Sequence, residues 1–132
     1  MRTYDPAALV ALDLRSLTWA RNTCRRYLRD VPNEVGAWRP GSYDDREIDA
    51  QLTLDAVRHG VVLHYRPHVS AAHLLLSDPE RVLSTSGGGW SETYQTPASV
   101  AASIRRSGSY IDDLIRGMTG QVPGQRPLVA RL

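Results

Sequence analysis

The sequence predicts a mainly α-helical single domain, a small bundle of four to five helices. A short β-hairpin or extended loop is expected near 82–95, with an extended C-terminal tail after it. Three observations carry this prediction. Apolar residues recur at helical spacing through most of the chain. Asp5-Pro6, Asp44 with Glu47, and Thr96-Pro97 each read as a helix start. Gly87-Gly88-Gly89 and the Gly/Pro-rich stretch beyond Gly117 oppose regular structure where they fall. The expected division is a helical domain over 1–120 and a tail over 121–132.

In chain order, Asp5-Pro6 opens a helical stretch from Ala7 to Arg29. Leu9, Leu12, Leu17, Ala20, Cys24 and Leu28 are spaced for one face, and Leu14, Trp19 and Tyr27 widen it. Asp13 and Ser16 mark a break, so the stretch is one long helix or two. It stops before Val31-Pro32, because proline disfavours helix in the residue preceding it. Glu34 to Tyr43 reads as a loop, with Trp38 folded onto a neighbouring element or a neighbouring subunit. Asp44 and Glu47 form a capping box for the next helix. Ile48, Leu52, Val57, Val61 and Tyr65 continue at near-helical steps, which predicts one helix to Tyr65, placed centrally in the bundle.

Pro67 opens a third helix that stops at Asp78-Pro79. Glu80 to Leu83 leads into Ser84-Thr-Ser-Gly-Gly-Gly-Trp-Ser-Glu-Thr-Tyr-Gln-Thr96. There, Val82–Ser86 and Trp90–Gln95 pair as short strands or form an ordered, irregular loop. Thr96-Pro97 caps a helix to Ser107 that turns Val100, Ala101 and Ile104 inward, with Gly108 just past its end. A shorter helix follows over Tyr110–Gly117, with Ile111, Leu114 and Ile115 apolar.

Composition narrows the function classes. All sixteen basic residues are Arg, and fourteen carboxylates reduce the formal net charge to +2, so no concentrated basic face stands out. The densest cluster is Arg21, Arg25, Arg26 and Arg29. It reads as a solvated helix face, with an interface or a phosphate-facing patch as alternatives. One cysteine, Cys24, excludes an internal disulfide and a Cys-based zinc site, and reads as a partly buried structural thiol. No long apolar run predicts a membrane span, and the first residues lack a signal-peptide core, so a soluble intracellular product is expected.

No motif survives as an active site, and no cofactor is expected. The glycine-rich stretch lacks the Gly-Lys-Ser/Thr end of a phosphate loop, since the chain contains no lysine. It supplies no Gly-x-Ser-x-Gly elbow, and no alternation of strands and helices surrounds it. His64 and His68 have the spacing of two ligands on one helical turn, but Pro67 lies between them. Asp44 and Asp45 suit a helix N-terminus, and Asp112 and Asp113 a solvated or contact face.

The order of parts carries a resemblance. Asp44-Asp-Arg-Glu-Ile-Asp-Ala-Gln-Leu52 opens a helix. A helical step ends at Ser77-Asp-Pro-Glu-Arg-Val82, then comes Leu83-Ser-Thr-Ser-Gly-Gly-Gly-Trp-Ser-Glu-Thr-Tyr94 and a closing helix. Over residues 44–116 this resembles the head–tail connector (adaptor) proteins of long-tailed bacteriophages. The long N-terminal helix, the Trp38 loop and the tail have no placed counterpart in that family. The adaptor layer and the stopper or tail-completion layer therefore both stay open.

The resemblance implies a non-enzymatic virion protein of the neck, made in the host cytoplasm. Copies would form a ring, twelve-fold by expectation, between portal and tail, with DNA passing through the lumen without specific binding. It places the portal contact at Pro127, Leu128, Val129 and Leu132. Ring or tail contacts fall at Trp38, Ser86, Gly88, Trp90, Glu92 and Tyr94, and a charged interface at Arg21, Arg25 and Arg29. Two rivals come from the residues alone: a small Arg-rich DNA-binding regulator, and a metal enzyme built on His64 and His68.

Overall fold

The computed structural model describes residues 1–9, 11–83 and 96–121. A 3₁₀ turn (Pro6–Leu9) precedes α1 (Leu17–Leu28) and α2 (Asp45–Asp55). Strands β1 (Val57–His59) and β2 (Val62–His64) follow, then α3 (Pro67–Ser77) and a single turn, α4 (Glu80–Leu83). The last two helices are α5 (Pro97–Ser107) and α6 (Ser109–Thr119). The fold is the mainly α small bundle that the sequence predicts.

The helix starts form as their local chemistry dictates. Asp44 caps α2, and Glu47 reaches back to the Asp44 backbone, completing the capping box. Thr96 accepts from the Ser99 amide, with Pro97 at the first helical position of α5. The N-terminal stretch resolves as two pieces rather than one. Ser16 is extended and accepts the Trp19 N–H at 3.1 Å, so α1 begins afresh there. At the far end Arg29 closes α1 in the left-handed region (φ 54°).

Two expectations are corrected. The helix that opens at Asp44 does not continue to Tyr65: it ends at Asp55, and residues 57–64 form an antiparallel hairpin pairing Val57 with His64 and His59 with Val62. Val57, Val61 and Tyr65 mimic a helical stripe, but β-branched residues flank Gly60, which takes φ 65°. Glycine with positive φ at the first central position fits a two-residue type II′ turn, whose twist matches the strands. The strand expected from Val82 also starts differently, because Val82 and Leu83 lie within α4. The rest of the expected 82–95 hairpin, and the tail from 122, lie outside the described residues.

The central helix is α3 rather than α2. It packs against α1, α2 and α5, and buries residues on every side, among them His68, Ala71, Ala72 and Leu75. Its composition permits this: only small or apolar residues and His68, Ser70 and His73 occur after Pro67, whereas α2 carries carboxylates and buries only Ile48 and Leu52. Around α3 the core gathers Trp19, Ala20, Cys24 and Leu28 from α1, Val100, Ala101 and Ile104 from α5, and Ile111 and Ile115 from α6. Gly108 sits so close to α3 that a Cβ there would stand 2.2 Å from His68 Cβ. Close approach, not backbone conformation, therefore requires glycine at the α5–α6 joint.

Candidate functional site

Polar clusters hold the bundle, and three of them bear on its candidate chemistry. The first is centred on Arg25. Its guanidinium is fully buried and donates from Nε to Thr3 O (2.9 Å) and from Nη1 to Asp30 Oδ2 (3.0 Å). Nη2 reaches Tyr43 O and Asp45 Oδ1, both at 2.8 Å. Trp38 covers the guanidinium face, 4.5 Å from its ring centroid. Arg25 thus corrects the solvated-face reading of the α1 arginines: it is an internal bracket for the N-terminal segment, the 30–43 loop and α2. Arg21 is also engaged, forking onto Asp49 at 2.7 Å through both Nε and Nη2. Arg29 stays at the surface as the helix cap. Trp38 is half-buried, and the element it folds onto is α1 of its own chain.

The second cluster joins α3 to α6. Asp112 accepts Arg66 Nε at 2.8 Å and lies 3.1 Å from His68 Nε2. Burial alone would raise the Asp112 carboxyl, but these two partners outweigh it and lower it to about 2. Asp112 is therefore a latch between helices, not a solvated carboxylate. The third cluster joins α2 to α3: Asp55 accepts Ser70 Oγ at 2.9 Å and contacts His73 Nδ1 at 2.9 Å. Ser70 donates to the carboxylate rather than to the histidine, so no nucleophile–base pair forms.

His64 and His68 do not act as a ligand pair on one helical turn, because His64 ends β2 and His68 begins α3. No group of three metal-ligating side chains occurs among the described residues. Burial pushes the Cys24 thiol far up, so it remains a protonated core group, more buried than the sequence implied. None of the described helices is long and apolar enough to cross a membrane.

What remains is surface. On α6, Ile111 and Ile115 are buried, while Tyr110, Leu114 and Met118 form an adjacent row at i, i+4 and i+8 that is 48%, 40% and 54% exposed. One broad apolar face is thus half covered by the core and half open. Tyr110 continues the row into a groove of about 470 Å³, lined by Leu9, Leu12 and Trp19 together with Thr23, Arg26 and Tyr27. Burial and the neighbouring Tyr110 push the Tyr27 hydroxyl up to about 12, so it stays a neutral donor. The sequence marks Leu114 but not the row, because Tyr110 opens the helix expected over Tyr110–Gly117 and Met118 falls beyond it. Reading the spacing from Ser109 to Thr119 recovers it.

Of the remaining contact candidates, Ser86, Gly88, Trp90, Glu92 and Tyr94 lie outside the described residues, as do Pro127, Leu128, Val129 and Leu132. No family description, curated protein or solved structure matches the chain.

Proposed function

We propose that this chain is a structural assembly protein: a head–tail connector that forms a ring between the portal and the tail of a bacteriophage. One observation carries the reading most directly. The α6 row and its adjoining groove form an open apolar face on a bundle whose candidate catalytic groups are consumed in holding helices together. The order of parts supports it too, with a capped helix at Asp45, a helical step ending at Asp78-Pro79 and closing helices from Pro97. These are the parts on which the family resemblance rests. A DNA-binding regulator built on α1 is disfavoured, because Arg25 and Arg21 already hold carboxylates and have little charge left for phosphate.

The test is electron microscopy of particles, or of the purified chain mixed with portal protein. A ring at the tail vertex is expected, and a chain that never associates with portal refutes the proposal. Removing residues 121–132 should leave the far-ultraviolet circular dichroism unchanged and abolish portal attachment. Unchanged attachment would remove the tail from the portal contact.

A further inference from the structure

The loop after α1 carries a second, smaller apolar feature with the opposite charge to the groove. Asn33 closes this loop on itself. Its N–H donates to Ala37 O and its C=O accepts from Gly36, both at 2.9 Å. Its side-chain Oδ1 accepts from Val35 N (3.1 Å) and Ala37 N (2.9 Å). Gly36 takes φ 81°, which the tight turn requires. The result is a preformed tip that displays Glu34 and Val35, with Val35 86% exposed. A β-branched apolar side chain at the tip of a self-bonded loop pays little ordering entropy when buried by a partner.

The groove beside α6 is complementary to this tip in three respects. Leu9, Leu12 and Trp19 supply apolar lining for Val35. Arg26, exposed at the groove, matches Glu34, and neither has an ion-pair partner among the described residues. Thr23 Oγ1 lines the groove, is shielded from water and has no hydrogen-bond partner among the described residues, so it can take one from an incoming backbone. Residues 33–37 do not line the groove of their own chain.

We infer that the Glu34–Val35 tip of one copy docks into the groove of the next, Val35 against Leu9, Leu12 and Trp19 and Glu34 against Arg26. Tip and groove are different surfaces, so the contact is heterologous and repeats around a ring when the rotation closes. The inference deepens the ring reading and rests on it, since it names the contact between ring neighbours.

Sedimentation velocity of the full chain over a concentration series tests it. The wild-type chain should form a closed oligomer. Glu34→Arg and Arg26→Glu should each raise the concentration needed for assembly at least about tenfold, because each places like charges together. The Glu34→Arg/Arg26→Glu double variant should restore assembly, and Val35→Asp should lose it. All three positions of change are exposed, and melting temperatures near wild type verify that the fold is kept. Assembly that ignores the single swaps, or is not restored in the double variant, overturns this contact and leaves the ring standing. A wild-type chain that stays monomeric also overturns the contact, and micrographs of the portal vertex then decide the ring reading independently.

Discussion

Replacing Arg25 should be among the most damaging single changes in this chain, although its position amid arginines on α1 reads as surface. Its side chain is fully buried and serves four acceptors: Thr3 O, Asp30 Oδ2, Tyr43 O and Asp45 Oδ1. Arg25→Ala leaves Asp30 fully buried, with the Tyr43 N–H at 2.8 Å and the Arg39 Nε at 3.4 Å as the remaining neighbours. Breaking a buried pair in this way costs about 3–5 kcal/mol. For a domain of this size each kcal/mol lowers the melting temperature by roughly 3–5 °C, so a fall of about 10–25 °C is expected.

Arg25→Lys is the sharper test. It keeps the charge but cannot fork to Asp30 and Asp45 while also reaching two carbonyls, and should cost about 2 kcal/mol. Urea unfolding followed by far-ultraviolet circular dichroism measures both. Lysine within about 0.5 kcal/mol of wild type, the scale of an ordinary surface change, would refute the bracket role.

Gly108→Ala forces a Cβ to within 2.3 Å of His68 Cγ and should destabilise by roughly 1–3 kcal/mol. Thermal melts should show the Gly108→Ala/His68→Gly double variant less affected than the sum of its parts, because only glycine at 68 removes the Cβ that the new methyl meets. Asp112 is lowered to about 2 in the fold, so its stabilising contribution is present above the ordinary carboxylate range and is lost as pH falls from about 4 towards 2. Asp112→Asn should therefore flatten the stability profile in that window, measured by denaturant unfolding at several pH values, and an unaltered slope would count against the latch. Thr96→Ala removes the cap from α5 and should cost about 1 kcal/mol in the same assay.

What was legible in the sequence was local. Asp44 with Glu47, Thr96-Pro97 and Pro67 mark helix starts through groups a few residues apart, and each starts a helix where expected. Inward positions on α5 followed from spacing alone. The hairpin was hidden because valines four residues apart satisfy helical and extended periodicity alike, and Gly60 was the only nearby sign of a turn. The role of Arg25 was not legible at all. Its partners Thr3, Tyr43 and Asp45 are far away in sequence, and only the packing of three segments makes an arginine internal. The same holds for the groove, assembled from the N-terminal segment, α1 and the first residues of α6.

The proposed assembly has an energetic logic that these surfaces make explicit. Fully burying an exposed large apolar side chain contributes about 1.5–3 kcal/mol, so Tyr110, Leu114 and Met118, each about half exposed, hold roughly 3 kcal/mol in reserve. Association of two free subunits costs at least about 4 kcal/mol in lost freedom. The α6 row by itself is too weak to hold a pair together, and a single Val35 tip adds little more than one side chain. In a closed ring each subunit engages two neighbours, and the last contacts form within the assembly at high effective concentration. Contacts of this strength leave subunits apart when dilute and join them cooperatively as their concentration rises, the behaviour expected in the sedimentation series.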